Sequence, residues 1–335
     1  MATGSTRFIR PRPTTWKPLA VKVLISVGLL FAALTVLTVW KAARHETHAE
    51  AEYPAEGIML DVDGVPIHAV VMGEGPDVVL IHGSSGNARD MTFSLAPILA
   101  ENYRVIAFDR PGLGYSGRFN SGGESISDQA AILQKAAVQL GADRPIVLGQ
   151  SYGGSVALAW AVHHPENISA LVPVAAASHP WDDPLDLFNT VASHPVGSAL
   201  VLPLVTAYVP DSFVSNALDE VFAPQTAPQG YAEHFGPGLT LRRHSMHSNA
   251  LQRASLQDEI VALQPFYSGI GVPTEIVHGT ADVTVGLDRH SGKLVQEIPE
   301  ANLVRLEGIG HMPQVVAAEE VAAAVDRAAA RAGLR

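Results

Sequence analysis

The stretch Ile146-Val147-Leu148-Gly149-Gln150-Ser151-Tyr152-Gly153-Gly154 decides the fold of this chain. Its apolar beginning is typical of a buried strand and a helical pattern follows Gly154, so the sequence predicts a strand, a sharp turn and a helix. Glycines two positions on either side of Ser151 remove the Cβ atoms that would clash in such a turn. The turn would hold the Ser151 hydroxyl out of the sheet, where a base can reach its proton.

Strand-like runs alternate with helix-like runs on both sides of this turn. The strands are predicted at residues 58–62, 67–72, 78–81, 105–108, 146–148, 170–175, 274–277 and 303–306. The helices are predicted at residues 91–101, 126–140, 154–163, 288–297 and 319–331. The first two strands flank an Asp63-Gly64 turn and predict a hairpin. The rest of the alternation predicts an α/β fold with a mostly parallel sheet covered by helices on both faces.

Residues 178–271 interrupt this alternation. The segment contains amphipathic stretches divided by prolines and no clear strand. Leu, Val and Phe are too frequent in it to favour a disordered loop. We therefore predict a helical cap at residues 178–271, inserted into an α/β core formed by residues 57–177 and 272–335.

Two further strands end in residues that are suited to assist Ser151. Residues 274–277 lead through His278 to Asp282, and residues 303–306 lead to His311. The carboxyl ends of parallel strands meet at one edge of a sheet, so we expect Asp282 and His311 to converge on Ser151 as orienting acid and general base.

Other candidates nearby have simpler roles. Asp288 is the alternative acid, although we expect it to cap the helix that follows. We expect His278 and His290 to be structural or exposed.

The loop after the third strand, at residues 82–86, is a candidate oxyanion site. Its small residues allow backbone N–H groups to approach a substrate closely. We expect the N–H groups of Ser84 and Tyr152 to be the donors, with Ser85 as the alternative to Ser84. His82 is expected to be a structural residue. The loop after the fourth strand, which includes Asp109 and Arg110, is expected to be structural as well.

The N-terminal region predicts a membrane anchor. Residues 23–40 form a run of 18 residues without charge, which extends to residue 19 if Lys22 reaches the interface. We assign residues 1–18 to a basic tail, residues 19–40 to a single transmembrane helix in the lipid bilayer, and residues 41–56 to a polar linker. Basic residues lie mainly before the run, so the N-terminus is expected in the cytoplasm and the rest of the chain outside. A cleaved signal peptide and secretion are the alternative.

Composition excludes several classes of protein. Residues 1–45 hold seven of the 22 Lys and Arg and none of the 33 Asp and Glu, so the rest of the chain has a formal charge of −18. Such a charge repels nucleic-acid phosphates. The sequence contains no Cys, which excludes disulfides, thiolate nucleophiles and Cys-based zinc sites.

Together these motifs resemble the α/β-hydrolase superfamily over about residues 57–330. The loop at residues 82–86, the turn at Ser151 and the loops that end in Asp282 and His311 are similar to its oxyanion, nucleophile, acid and base loops. The resemblance implies an eight-stranded sheet, a cap after the sixth strand and no metal or organic cofactor. Haloalkane dehalogenases and epoxide hydrolases of this family use an aspartate nucleophile, so Ser151 argues against both.

We therefore expect a serine esterase or lipase-like enzyme that acts on a small, apolar acyl substrate. Aromatic and aliphatic residues of the cap favour an apolar pocket, in which Ser85, Trp181 and Met312 would contact the substrate. Several other activities of the same triad remain open: carbon–carbon bond hydrolysis, prolyl aminopeptidase activity, and haloperoxidase or perhydrolase activity. A catalytically silent, membrane-anchored binding protein is the alternative outside enzymes. The sequence does not indicate an oligomeric state.

Overall fold

The computed structural model describes residues 16–335 and contains one sheet of eight strands in that part of the chain. In chain order the strands are β1 (Ile58–Val62), β2 (Val65–Met72), β3 (Asp77–Ile81), β4 (Arg104–Phe108), β5 (Ile146–Gln150), β6 (Ala170–Val174), β7 (Glu275–Gly279) and β8 (Asn302–Leu306). Each predicted strand is present, and its ends lie within two residues of the expected ones. The predicted α/β fold is confirmed.

The sheet has the spatial order β1-β2-β4-β3-β5-β6-β7-β8. β1 and β2 form the predicted hairpin and β2 is antiparallel to β4, whereas every other neighbouring pair is parallel. At the hairpin turn, Asp63 and Gly64 have φ angles of 54° and 84°. Asp and Gly tolerate such angles better than other residues, which explains why this pair makes the turn.

Helices cover both faces of the sheet, and a further group of helices lies between β6 and β7 in the chain. In chain order they are α1 (Trp16–Glu52), α2 (Ala88–Thr92), α3 (Leu95–Leu99), α4 (Ile126–Gln139), α5 (Tyr152–His163), α6 (Leu187–Ser193), α7 (Pro195–Tyr208), α8 (Asp211–Phe222), α9 (Tyr231–Phe235), α10 (Pro237–Thr240), α11 (Arg243–Leu263), α12 (Ser291–Glu297), α13 (Pro313–Val316) and α14 (Ala318–Arg331). Short 3-10 helices lie at Pro165–Asn167 and Gln264–Gly269.

The core lies in two layers, one on each face of the sheet. Val79 and Ile81 of β3 point into the layer that contains α4 and α5. Val78 and Leu80 of the same strand point into the layer that contains α3 and α14. All four are fully buried, and burial of each such side chain contributes about 1.5–3 kcal/mol. The two layers hold β3 and β5 rigidly in the centre of the sheet, where the Ser151 turn begins.

Residues 178–271, which we call the cap segment, contain α6 to α11 and no strand among the residues described. The segment has its own apolar clusters. In one of them Leu202, Leu241 and Met246 pack together, and in another Phe222 and Tyr231 pack against Met312 of the core. The cap segment therefore rests on the carboxyl edge of the sheet.

Helix α1 differs from the expected transmembrane helix followed by a linker. It is long and apolar enough to cross a membrane, but it continues to Glu52 through most of the linker predicted at residues 41–56. This part of the prediction was wrong because residues 41–52 contain no Gly or Pro and the helix packs against the cap segment. Ala42 and Ala49 are buried in that contact. Residues 1–15 of the predicted basic tail lie outside the described part of the chain.

The single helix predicted at residues 91–101 is instead divided into α2 and α3. Pro97 explains the division, because it has no N–H for the Phe93 carbonyl and its ring clashes with the preceding turn of a continuous helix.

Candidate active site

Ser151 lies in a strained turn between β5 and α5. Its φ and ψ angles are 54° and −118°. A Cβ atom on Gly149 would lie 2.1 Å from the Gly153 carbonyl oxygen, and one on Gly153 would lie 2.2 Å from the Ile81 carbonyl oxygen. Both glycines are therefore required by the close approach of the backbone, and together they allow the turn that exposes the Ser151 hydroxyl.

The structure brings Ser151, His311 and Asp282 together. The Ser151 Oγ is 3.0 Å from the His311 Nε2, and the His311 Nδ1 is 2.7 Å from the Asp282 Oδ2. The side chains of His311 and Asp282 are almost fully buried. Because Nδ1–H donates to the carboxylate, Nε2 is left as an acceptor for the serine proton.

The second oxygen of Asp282 is held by its own loop. Oδ1 accepts the backbone N–H groups of Thr284 and Val285 at 2.8 and 2.9 Å. Burial raises the pKa of Asp282, but hydrogen bonds from His278 and His311 and the backbone of Val285 outweigh it, so the pKa lies below its usual range. The carboxylate is therefore ionised at neutral pH.

His278 is a functional neighbour that the sequence analysis did not identify. The residue is fully buried. Its Nε2 is 3.2 Å from the Asp282 Oδ2 and 2.7 Å from the Val285 carbonyl oxygen. Its Nδ1 is 2.6 Å from the Ser291 Oγ. His278 therefore has the structural role expected of it, and the side chain that it helps to position is the carboxylate of Asp282. Its position four residues before Asp282, at the end of a strand, was the available signal.

The oxyanion loop distinguishes Ser84 from Ser85. The Ser85 N–H donates to the Asn249 Oδ1 at 2.7 Å, so this group is already paired. Ser84 and Tyr152 both line the cavity above Ser151. A Cβ on Gly83 would lie 3.2 Å from the Ser151 Cβ, so the glycine lets this loop lie against the nucleophile. The pairing of its N–H makes Ser85 a lining residue, and the N–H groups of Ser84 and Tyr152 remain the predicted donors.

The remaining polar residues of the two loops have structural partners. The His82 Nε2 accepts the Arg110 N–H at 3.0 Å, and burial followed by the Arg110 charge lowers the pKa of His82 to about 3. Asp109 accepts the N–H of Ala88 at 2.6 Å and is 2.7 Å from the His68 Nδ1. His82, Asp109 and Arg110 therefore hold the loops together, as expected.

Asp288 and His290 lie apart from the reacting atoms. Asp288 is exposed and 3.6 Å from Arg305, and α12 begins only at Ser291, so the expectation that Asp288 caps this helix was wrong. His290 directly precedes α12, and its buried ring holds the chain here. Its Nδ1 accepts the N–H groups of Ser178 and His179, which ties the turn before α12 to the cap segment.

A cavity of about 1640 Å³ lies between the sheet edge and the cap segment. Ser151 and His311 are at its base. The residues predicted to contact substrate, Ser85, Trp181 and Met312, all line it. Most of its wall in the cap segment is apolar and includes Phe188, Val205, Phe213, Leu218 and Phe235.

One buried carboxyl group in the cavity wall was missed by the sequence analysis. The Asp90 Oδ1 accepts the Tyr231 hydroxyl at 2.8 Å and lies 3.4 Å from the Gln314 Nε2. Burial raises the pKa of Asp90 to about 6, although both hydrogen bonds oppose that shift. No group of three or more His, Asp or Glu that could hold a metal ion occurs within residues 16–335.

Comparison with curated proteins gives distant relatives of different activities. The haloalkane dehalogenase 2 of Mycobacterium tuberculosis is 26% identical over 293 residues, which cover 82% of this chain and 94% of the relative. A putative non-heme haloperoxidase of Mycobacterium phage D29 is 27% identical over 252 residues, which cover 73% of this chain and 85% of the relative.

Solved structures share the fold at lower identity. A membrane phospholipase A, described as a bacterial virulence factor, has a TM-score of 0.62 and 21% identity and covers 93% of this chain and 99% of its own. A thermophilic esterase from Thermogutta terrifontis has a TM-score of 0.67 and 19% identity and covers 83% of this chain and 99% of its own.

The sequence model of the family described as "alpha/beta hydrolase fold" matches residues 76–318, which is more than half of the chain. This match includes the turn at Ser151 and the loops of Asp282 and His311. The chain therefore belongs to the alpha/beta hydrolase fold family.

Proposed function

We propose that this protein is a membrane-anchored serine hydrolase that cleaves an ester bond through an acyl-enzyme. The observation that carries the proposal is the continuous hydrogen-bonded path from the Ser151 Oγ to His311 at 3.0 Å and from His311 to Asp282 at 2.7 Å. A nucleophile, a base and an orienting acid in this order supply the proton transfers of acyl transfer.

In the first half of the reaction, the Ser151 Oγ attacks the carbonyl carbon of the ester while the His311 Nε2 takes the hydroxyl proton. The negative charge that develops on the carbonyl oxygen is stabilised by the N–H groups of Ser84 and Tyr152 and by the N-terminus of α5. His311 then gives its proton to the leaving alcohol as the carbon–oxygen bond breaks.

In the second half, a water molecule gives a proton to His311 and attacks the acyl-enzyme. The bond to the Ser151 Oγ breaks, and His311 returns the proton to this oxygen. The ionised Asp282 stabilises the charged imidazole in both halves.

Ser151 also argues against the activity in the name of the mycobacterial relative. Halide displacement by a serine would form an ether, which the water step just described cannot cleave. An aspartate nucleophile would form an ester instead, which water can hydrolyse. Ester hydrolysis is therefore favoured over dehalogenation.

The size of the cavity favours a long acyl substrate over the small one that the sequence led us to expect. Its volume of about 1640 Å³ exceeds the roughly 300–1,000 Å³ of ordinary small-molecule pockets. The apolar side chains from the cap segment suit a hydrocarbon chain, and the base of the cavity at Ser151 suits the ester group.

The contacts of α1 favour a retained anchor over a cleaved signal peptide. Glu46 pairs with Arg243 at 2.7 Å, and Glu50 pairs with the buried Arg242 at 3.0 Å. Cleavage at the small residues 49–51 would remove both carboxylates or expose them, and it would leave Arg242 without this charged partner. The N-terminus would lie in the cytoplasm and the catalytic domain outside.

The experiment that tests the proposal is covalent labelling with a fluorophosphonate probe. We expect the wild-type chain to be labelled and Ser151→Ala to be unlabelled, and we expect p-nitrophenyl esters to be hydrolysed only by the wild type. Ser155→Ala is the matched control, because its hydroxyl is buried and donates to the Ala177 carbonyl at 2.5 Å. A wild-type chain that neither reacts nor hydrolyses any ester would indicate a binding protein.

A further inference from the structure

An uncharged pair of helices lies on the outside of the cap segment. From Leu187 to Pro210 the chain contains no Asp, Glu, Lys or Arg, although the protein as a whole has a formal charge of −11. The segment forms α6 and α7, which meet at an angle of 116°. A surface region of this length without charge is unusual in an acidic protein.

The exposed side of these helices is apolar. Val196, Leu200, Leu204 and Tyr208 are spaced four residues apart on α7, so they form one stripe, and each is between 49% and 64% exposed. Leu187 on α6 is 79% exposed. We call these five residues together with Phe188 the docking face. Contiguous apolar surface of this kind marks a contact with a partner or a membrane.

The docking face is continuous with α1 at the end of its apolar run. The Tyr208 hydroxyl is 3.1 Å from the Thr38 Oγ1, and the Lys41 Nζ is 4.3 Å from the centre of the Tyr208 ring. Thr38 lies in the last turn of the run of residues 19–40, whose apolar side chains are exposed, and Lys41 directly follows this run. The two apolar surfaces therefore meet where the bilayer surface would be.

The docking face also borders the cavity. Phe188 and Phe213 line the cavity and are 41% and 64% exposed. An acyl chain that leaves a bilayer under this face would meet apolar side chains of α6 and α7 in the cavity wall, which also contains Asp182, Asp183 and Asp186.

We propose that the docking face is embedded in the bilayer leaflet beside α1, and that the substrate is a membrane-resident acyl ester that passes from this leaflet into the cavity. The embedding of the docking face is inferred from the surface of the cap segment alone. The claim about the substrate rests on the proposed ester hydrolysis. Because the face is uncharged, its contact is with hydrocarbon and does not depend on anionic lipid.

The docking itself can be tested without any activity, because the chain contains no Cys. The full chain carrying Leu200→Cys is labelled with an environment-sensitive fluorophore in phosphatidylcholine vesicles. Val261→Cys on α11, which is 52% exposed, is the matched control. We expect doxyl-labelled phosphatidylcholine to quench the label at position 200 and aqueous iodide to quench the label at position 261. Quenching of both labels by iodide alone would overturn the docking.

The substrate route is tested with two esters of one leaving group. The double variant Val196→Glu/Leu200→Glu is compared with Val138→Glu/Val261→Glu, which places the same charges on exposed positions elsewhere. We expect the first variant to hydrolyse vesicle-borne methylumbelliferyl oleate about tenfold more slowly or worse, because charged side chains are costly in hydrocarbon.

Hydrolysis of soluble methylumbelliferyl butyrate should remain at the wild-type rate in both variants. Equal rates for oleate in the two variants, or equal losses on oleate and butyrate, would overturn the route through the bilayer. Absence of butyrate hydrolysis in the wild type would instead contradict the proposed esterase, and the fluorescence result would be unaffected.

Discussion

The His278 Nε2 lies 3.2 Å from the Asp282 Oδ2, the same oxygen that is 2.7 Å from the His311 Nδ1. Two imidazoles therefore converge on one carboxylate oxygen, while the other oxygen is held by backbone N–H groups. The His278 and His311 contacts are buried, so β7 and the loops that follow β7 and β8 together hold the direction of the carboxylate.

Replacement of His278 tests this positioning role. We expect His278→Phe to lower kcat about tenfold with little change in KM, since it removes a contact to Asp282 without touching the substrate. Ser291→Ala, which removes only the partner of His278 Nδ1, should have a smaller effect in the same direction. An unchanged kcat in a folded His278→Phe variant would contradict the role.

The identity of the acid can be tested by comparing Asp282 with Asp288. Asp282→Asn should lower kcat about 10³–10⁴-fold, because an amide favours the wrong tautomer of the histidine. Asp288→Asn should leave kcat unchanged, since Asp288 is exposed and pairs only with Arg305. Hydrolysis of a p-nitrophenyl ester by both variants measures the difference, and equal losses would show that the assignment is wrong.

Asp90 should make stability depend on pH. Its pKa in the folded protein is about 6, above the ordinary 3.8, so the folded state binds more protons than the unfolded chain between these values. Stability should therefore fall as the pH rises from about 4 to 6, by on the order of 2–3 kcal/mol. Asp90→Asn keeps an acceptor for Tyr231 and should remove this dependence. Thermal unfolding midpoints between pH 4 and pH 7 measure it, and parallel curves for both proteins would contradict the prediction.

Asn249 should support the oxyanion loop. Its Oδ1 accepts the Ser85 N–H at 2.7 Å, and Ser85 has a φ angle of 56°. Asn249→Leu leaves this N–H unpaired, so we expect kcat to fall about tenfold with little change in KM. Asn249→Asp retains an acceptor and should retain more of the activity. A variant that loses substrate binding alone would show that Asn249 acts only as a lining residue.

Glu46 should stabilise the contact between α1 and the cap segment. Its Oε1 accepts both the Arg243 side chain and the backbone N–H of Arg243, which is the first residue of α11. Glu46→Ala should lower stability by about 1 kcal/mol, since it removes a helix cap together with a partly exposed ion pair. Glu52→Ala on the same helix is the control, because Glu52 is exposed and its ion pair is with His48 of the same helix. Equal unfolding midpoints of the two variants would contradict the prediction.

The strands and the convergence of Ser151, Asp282 and His311 could be predicted because their signals are local. Apolar runs of a few residues indicated each strand, and the glycines around Ser151 indicated the turn. The positions of Asp282 and His311 followed from the rule that parallel strands end at one edge of the sheet. His82 and Arg110 have the structural roles expected of them, but they bond to each other across two loops.

Contacts between side chains of the cap segment and the core were missed. Asn249 is 164 positions from Ser85, and Tyr231 is 141 positions from Asp90. Nothing near Asn249 or Tyr231 in the sequence indicates these partners, because they depend on how the cap segment rests on the sheet. The linker was predicted wrongly for the same reason, since Glu46 and Glu50 read as solvated charges until their arginine partners are known.

The sequence by itself therefore determined the order of the strands along the chain, the strained turn at Ser151 and the apolar run of α1. These features depend on steric and hydrophobic preferences that act over a few neighbouring residues. Only the tertiary structure decided which carboxylate His278 contacts, which N–H Asn249 occupies, and which apolar side chains of α6 and α7 remain uncovered. Those outcomes depend on how segments distant in the sequence pack together, and no short-range pattern in the sequence specifies this packing.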